Sequence, residues 1–364
     1  MARLLFNPGP TNTAPEVREA LLVGDFSHRD PEVAEAAARI SAGLLQAAGG
    51  TGTHDCVMFA GSGTAASEAI ISSLTGPLLV VVNGRYAERL ALIAERHRIA
   101  VTRLNVDPYT PVTADAVDAA LAADPGLTHV VVVHHETTTG MLVPLREIGA
   151  VVARRGRLLV VDSISGIGGH PLDLRADNIA YCSVNPNKCL ESVPGIGVVL
   201  ARTQELRTLA GTARTFYLDL YEQWRRGHDG GFPYTMPVQV LFALDRGVAR
   251  WLAEGVEQRI GRYAAMAAHM RRRLAESGFE VLRLPRGCEG HLITNLRLPD
   301  HIDFPELVHA VRERGYTLYS NLDSLKDGRF FVATMGAIGH DDIDGFVAAL
   351  ADALPAAHRP GTGR

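Results

Sequence analysis

The chain has 364 residues, 47% of them hydrophobic and 21% charged, with a net charge of −4, a globular composition and a length that fills one large or two ordinary domains. Charges of both signs are scattered, so no basic block exists to neutralise a nucleic-acid backbone or an anionic membrane surface, and no apolar run reaches the ~20 residues of a membrane span. Met1 to Phe6 meets the Pro8-Gly9-Pro10 turn before a signal peptide's apolar core could form, so a cytoplasmic protein with no nucleic-acid and no membrane partner is expected.

In chain order, Phe59-Ala60-Gly61-Ser62-Gly63-Thr64 leads into a helical stretch, Thr64 to Ser73. Its glycines let backbone N–H groups and a helix N-terminus approach an anion, which suits a phosphate; the same residues also suit any tight strand-to-helix bend. Leu78 to Val82, His129 to Val133, Leu158 to Val161 and Gly197 to Leu200 read as buried parallel strands, with helical periodicity at Tyr86 to Arg96 and Leu145 to Arg155 between them. This alternation predicts an α/β domain. From Val238 to Ser277 the pattern is helical, and Glu280 to Leu284, Ile293 to Leu298 and Phe330 to Thr334 read as strands of a smaller α+β domain. The expected division is 1–245, 246–354 and a flexible tail, 355–364.

Lysine is almost absent: arginine is used throughout, and Lys occurs only at 188 and 326. An arginine cannot be deprotonated in a protein and a lysine amine can, so nucleophilic or Schiff-base chemistry requires Lys. Lys188 is therefore a candidate catalytic residue, whereas Lys326, beside Asp327-Gly328, reads as a turn residue. Asp162 ends a buried strand, where open parallel sheets bind ligands; it either caps the next turn or pairs with a pyridinium nitrogen. The four cysteines are widely spaced and the fourteen histidines dispersed, so neither disulfides nor a metal site is expected. No GxGxxG follows the first strand, which excludes a Rossmann dehydrogenase.

An ordered set of motifs spans nearly the whole chain. It runs from Asn7-Pro8-Gly9-Pro10 and Ser27-His28-Arg29-Asp30 through Gly61 to Thr64, Asn83-Gly84-Arg85-Tyr86 and His134-His135-Glu136-Thr137-Thr138-Thr139-Gly140. Asp162-Ser163, Asn187-Lys188-Cys189, Val193-Pro194-Gly195 and Leu218 to Trp224 complete it. On these residues the sequence resembles the class V aminotransferases of fold type I, and among them the 2-aminoethylphosphonate:pyruvate aminotransferases. The resemblance implies a large domain with a mainly parallel, seven-stranded type of sheet and pyridoxal 5'-phosphate as cofactor, acting on a small amine and an oxo acid. It implies Lys188 as the Schiff-base lysine and proton shuttle, and Asp162 at the pyridine nitrogen. Ser62, Gly63 and Thr64 would hold the phosphate, Tyr86 and Ile164 the two ring faces, and Thr137 would lie near the ring hydroxyl and substrate. Tyr234-Thr235 would complete the phosphate site of a neighbouring subunit, which implies a homodimer with shared active sites, and Pro8-Gly9 would line the substrate mouth.

One departure bears on specificity. The family's carboxylate-clamping arginine, five residues before a glycine, falls on Phe331 when counted back from Gly336, and phenylalanine cannot bind an anion bidentately. Arg329, ~7 Å away along the same strand face, is either a substitute clamp or a solvated turn residue. An alternative is a lyase, decarboxylase or aldol-type enzyme on the same fold; a non-catalytic scaffold is disfavoured by the retained Lys188 and Asp162.

Overall fold

The computed structural model describes residues 3–228, 231–300 and 302–354, and the tail 355–364 lies outside them. The central sheet contains β1 (His54–Gly61), β2 (Leu78–Val82), β3 (Val101–Asn105), β4 (His129–Val133), β5 (Leu158–Asp162), β6 (Ile179–Val184) and β7 (Gly195–Arg202). Its seven strands are ordered β1-β7-β6-β5-β4-β2-β3. From β6 to β3 all neighbours are parallel, and β7 runs antiparallel to both β1 and β6.

The apolar strand runs follow from burial on both faces. Along β4, Val130 and Val132 enter one core while Val131 and Val133 enter the other. Leu79 and Val81 of β2 are separated from Leu78 and Val80 in the same way. Burying each such side chain contributes roughly 1.5–3 kcal/mol. Of the covering helices, α1 (Pro31–Ala47), α4 (Leu145–Arg154) and α5 (Val238–Glu254) close one face through Ile40, Leu44, Ile148 and Leu241. The other face is closed by α2 (Gly63–Ser73) and α3 (Arg85–Arg96) through Ala66, Ile70, Leu90 and Ala94.

The helical stretch after Val238 breaks at Gly255, whose φ of 94° favours glycine, and resumes as α6 (Val256–Glu276). Beyond it, β8 (Ile293–Arg297) pairs antiparallel with β9 (Arg329–Ala333), and α7 (His340–Asp352) follows. These elements enclose a separate core containing Tyr263, Met270, Leu296, Phe330, Phe331 and Phe346. The N-terminal segment joins it: Phe6 stacks on Phe346 with ring centroids 4.0 Å apart. The strand expected at Glu280 to Leu284 does not form. Only an isolated bridge, Val281 to Leu296, is present, because this partly exposed edge ends at Pro285, which has no N–H to extend a ladder. Among the described residues no helix is long and apolar enough to cross a membrane.

Candidate active site

The C-terminal ends of β5 and β6 open onto a cavity of about 180 Å³ lined by Gly9, Ser62, Gly63, Thr64, Ser67, Tyr86, Arg89, Asp162, Ile164, Asn185 and Lys188, among others. Lys188 follows β6 and is 8% exposed. Its Nζ donates to the carbonyl oxygen of Pro8 and lies 5.9 Å from the centre of the Tyr86 ring. Burial disfavours the ammonium and brings the amine down to about 8. The backbone around it is held from two sides: Thr11 Oγ1 donates to the carbonyl of Lys188 at 3.1 Å, and Arg259 Nη1 to that of Cys189 at 3.2 Å.

Asp162 is 7% exposed at the end of β5. Burial pushes its carboxyl up to about 6, while the hydrogen bond from the Ile164 N–H to Oδ1, at 2.9 Å, opposes the rise. Ser67 on α2 donates to Asp162 Oδ2 at 3.5 Å and to Ser183 Oγ at 2.9 Å. Opposite, Ser62 caps α2 with an extended backbone and no side-chain capping bond. Gly63 stands where a Cβ would lie 2.7 Å from Ile164 Cδ1 and 2.9 Å from Asn185 Cβ. Only glycine brings the first turn of α2 this close to both neighbours.

Tyr86 opens α3 under the control of Glu136, a motif residue to which the sequence reading assigned no role. The Glu136 Oε2 accepts the N–H groups of Tyr86 and Ala87 at 3.1 and 3.2 Å, and Oε1 accepts the Thr138 hydroxyl at 2.6 Å. A carboxylate on the first N–H groups of a helix both caps it and complements its dipole. Thr137 is 2% exposed beside this clamp and does not line the cavity. Arg89, one turn along α3, does line it, with Nη1 3.4 Å from Thr64 Oγ1 and its guanidinium carbon 4.8 Å from the Tyr86 ring centre.

The remaining expected residues lie elsewhere. Phe331 is 2% exposed in the C-terminal core, with its ring centroid 6.4 Å from that of Tyr319. The Arg329 guanidinium sits 4.3 Å over the Tyr109 ring, its buried Nε without a partner. Neither lines the lysine cavity. Tyr234 and Thr235 are also outside it; the Tyr234 ring is 5.1 Å from that of Tyr217, beside Phe216, which is 85% exposed. Ser67, Arg89 and Asn185 were missed as wall residues. A helix-face reading could have found Arg89, since i and i+3 share a face with Tyr86.

A seven-stranded, mainly parallel sheet with a buried lysine, a buried carboxylate and a helix N-terminus at its carboxyl edge defines a fold type I enzyme. Its overall shape matches alanine–glyoxylate aminotransferase from Nostoc sp., with a TM-score of 0.92 and 24% identity, over 98% of this chain and 96% of that one. The aminotransferase class-V family model matches residues 32–318. The 2-aminoethylphosphonate–pyruvate transaminase 1 of Polaromonas sp. is 35% identical over 362 residues, covering 96% of each protein. The 2-aminoethylphosphonate–pyruvate transaminase 2 of Burkholderia lata is 36% identical over 361 residues, covering 97% of this chain and 95% of that relative. The chain belongs to the class V aminotransferase family, and it is an aminotransferase.

Proposed function

We propose that this aminotransferase holds pyridoxal 5'-phosphate on Lys188 and moves the amino group of a small aminophosphonate, such as 2-aminoethylphosphonate, to pyruvate or another oxo acid. The observation that carries the cofactor reading is one cavity that buries both a lysine amine at about 8 and a carboxylate at about 6. The substrate reading is supported by the names of the relatives at 35 and 36% identity.

The wall residues fit this cofactor. Gly63 leaves the first turn of α2 unobstructed, and its orphan N–H groups suit a phosphate. Tyr86 and Ile164 offer surfaces for the two faces of a flat ring, and Asp162 a carboxylate for its nitrogen. When bound, pyridoxal phosphate supplies an electron sink for the charge left when an α-proton departs.

Each protein group then has a definable task. The Lys188 amine, which burial makes easier to deprotonate than an exposed lysine, would hold the cofactor and move a proton at Nζ. Asp162, with its carboxyl at about 6, would present a carboxylate to the ring nitrogen at neutral pH and favour its protonation. Tyr86 and Ile164 would pack against the ring from the cavity walls and exclude water. Thr11 and Arg259 fix the carbonyls of Lys188 and Cys189, so that the amine swings about its side chain rather than its backbone.

The working unit in this reading is a homodimer in which Tyr234-Thr235 serves the neighbouring copy. Phe216, 85% accessible and beside the Tyr234 ring, supports a covered surface there. Cys56, Cys182, Cys189 and Cys288 are free thiols, which supports a cytoplasmic setting. The reading is tested by supplying 2-aminoethylphosphonate and pyruvate and measuring alanine. Alanine that requires both is expected; product formed without any oxo acid would replace the reading with a lyase.

A further inference from the structure

We propose that the C-terminal domain carries a second ligand site, a cavity of about 540 Å³ between α6, segment 281–284 and β8, that takes a small organic phosphate or phosphonate. It shares no wall residue with the lysine cavity. Its anchor is Arg271, half-buried on α6, whose Nη2 donates to the carbonyls of Gly290 and Ile293 at 2.6 and 3.4 Å. The other arginines of α6 each have a carboxylate partner: Arg259 and Arg262 on Glu254, Arg272 and Arg273 on Glu276. Among the described residues Arg271 has none, and burial pulls it below the usual arginine range. Carbonyl oxygens satisfy its N–H groups but leave the charge uncompensated. A guanidinium drawn out of water in that way is costly until an anion joins it.

Two further groups line the same space from other elements. Thr294 of β8 is 2% exposed, and its Oγ1 has no hydrogen-bond partner. A buried hydroxyl left unsatisfied marks a place where a partner is missing. Arg283 reaches the rim from segment 281–284, exposed and without a hydrogen bond or ion pair among the described residues. The wall carboxylate, Glu289, does not neutralise either arginine by contact; its Oε2 is turned back on its own loop, where it accepts the Gly287 N–H at 2.6 Å.

The donors come from three elements rather than one plane. A planar carboxylate can be forked by a single guanidinium, which leaves the second guanidinium and the hydroxyl unanswered. A tetrahedral dianion offers three oxygens and two charges to all three groups. Ala275, Val281, Leu284 and Ile293 supply apolar wall around them, so the ligand carries an organic group beside its phosphorus. Asn295, in the same wall, donates Nδ2 to the Thr139 carbonyl at 2.6 Å. The site therefore abuts the loop that carries Glu136 and, through it, the start of α3.

The test is calorimetric titration of the full-length protein, saturated with pyridoxal phosphate, using phenyl phosphate, phenylphosphonate and benzoate as probes. At least one phosphorus probe should bind once per chain, and benzoate about tenfold more weakly or worse; the tighter of the two phosphorus probes names the source, a phosphate ester or a phosphonate. Arg283→Gln, at an exposed position, should raise the Kd of that probe roughly ten- to a hundredfold. Thr294→Val, which keeps the shape and removes the hydroxyl, should raise it by about three- to tenfold, with thermal melts to confirm that both variants fold. Absorbance of the cofactor should stay constant throughout. Failure of both phosphorus probes to saturate at millimolar concentration, or a Kd that neither substitution moves, would overturn the proposal. So would benzoate binding as tightly as the phosphorus probes, or a cofactor spectrum that changes in step with binding, since the probe would then occupy the lysine cavity.

Discussion

Lys188 reaches 180 positions back along the chain to donate its Nζ to the carbonyl oxygen of Pro8. The contact joins two parts of the molecule at the reactive amine. The segment that carries Pro8 begins in the C-terminal core, where Phe6 stacks on Phe346, and Thr11 then grips the Lys188 carbonyl. The N-terminal strap therefore positions the lysine and also closes one wall of its cavity through Gly9.

Replacement of Lys188 by alanine removes both the covalent link and the proton carrier. Turnover should fall by at least ~10²–10⁴-fold, the range associated with a positioned acid or base. Lys188→Arg should be no better, since a guanidinium does not release its proton. Steady-state alanine formation measures both variants, and a Lys188→Ala enzyme within tenfold of wild type would contradict the assignment.

The amine at about 8 gives the capture of cofactor a definite pH dependence. Neutral amine is the attacking form, so the initial rate at which cofactor-free protein takes up pyridoxal phosphate should climb roughly tenfold per pH unit below 8 and level off above it. An exposed lysine would keep climbing toward pH 10. Asp162 adds a second loss on the acid side: its carboxylate protonates as pH falls through about 6, so bound cofactor should weaken below that pH. Stopped-flow absorbance across pH 5 to 10 resolves both limbs.

Gly63→Val forces a branched side chain into space held by Ile164 and Asn185. It should cost about 1–3 kcal/mol in stability by overpacking and abolish cofactor uptake by displacing the first turn of α2. Urea denaturation and absorbance check the two effects; a variant with wild-type values for both would contradict the close approach.

Phe331 stands where an arginine was expected from the resemblance, and at 2% exposure it belongs to the C-terminal core. Phe331→Ala should destabilise the protein by ~3–5 kcal/mol, the cost of a large aromatic lost from a core. A shift in the urea midpoint of less than a third of that size would show that the ring packs against nothing.

The legible parts of this protein were those under the strictest physical demands. Strands β2, β4 and β5 each carry an unbroken run of four or five apolar residues because both faces are buried, and Asp162 stands out at the end of the last, while Lys188 stands out as one of only two lysines. Edge strand β3, Val101-Thr102-Arg103-Leu104-Asn105, has no fully buried side chain and carries no such run. Segment 280–284 has the composition of a strand, yet contributes one bridge, to Leu296, before Pro285 ends it. Glu136 stood in a motif without a role, since its partners are backbone N–H groups 49 and 50 positions away, a relationship no local spacing encodes. The motif residues Tyr86, Ile164 and Ser62 to Thr64 converge on the lysine cavity, whereas Arg329 and Phe331 do not.

The most direct test of the central claim is the absorption spectrum of the cofactor-loaded protein as 2-aminoethylphosphonate is added without an oxo acid. The account predicts that the yellow lysine-linked form is lost in proportion to amine added and returns when pyruvate follows, with no such cycle in Lys188→Ala. A spectrum that ignores 2-aminoethylphosphonate but cycles with alanine and pyruvate would contradict the assignment of an aminophosphonate as the amino donor.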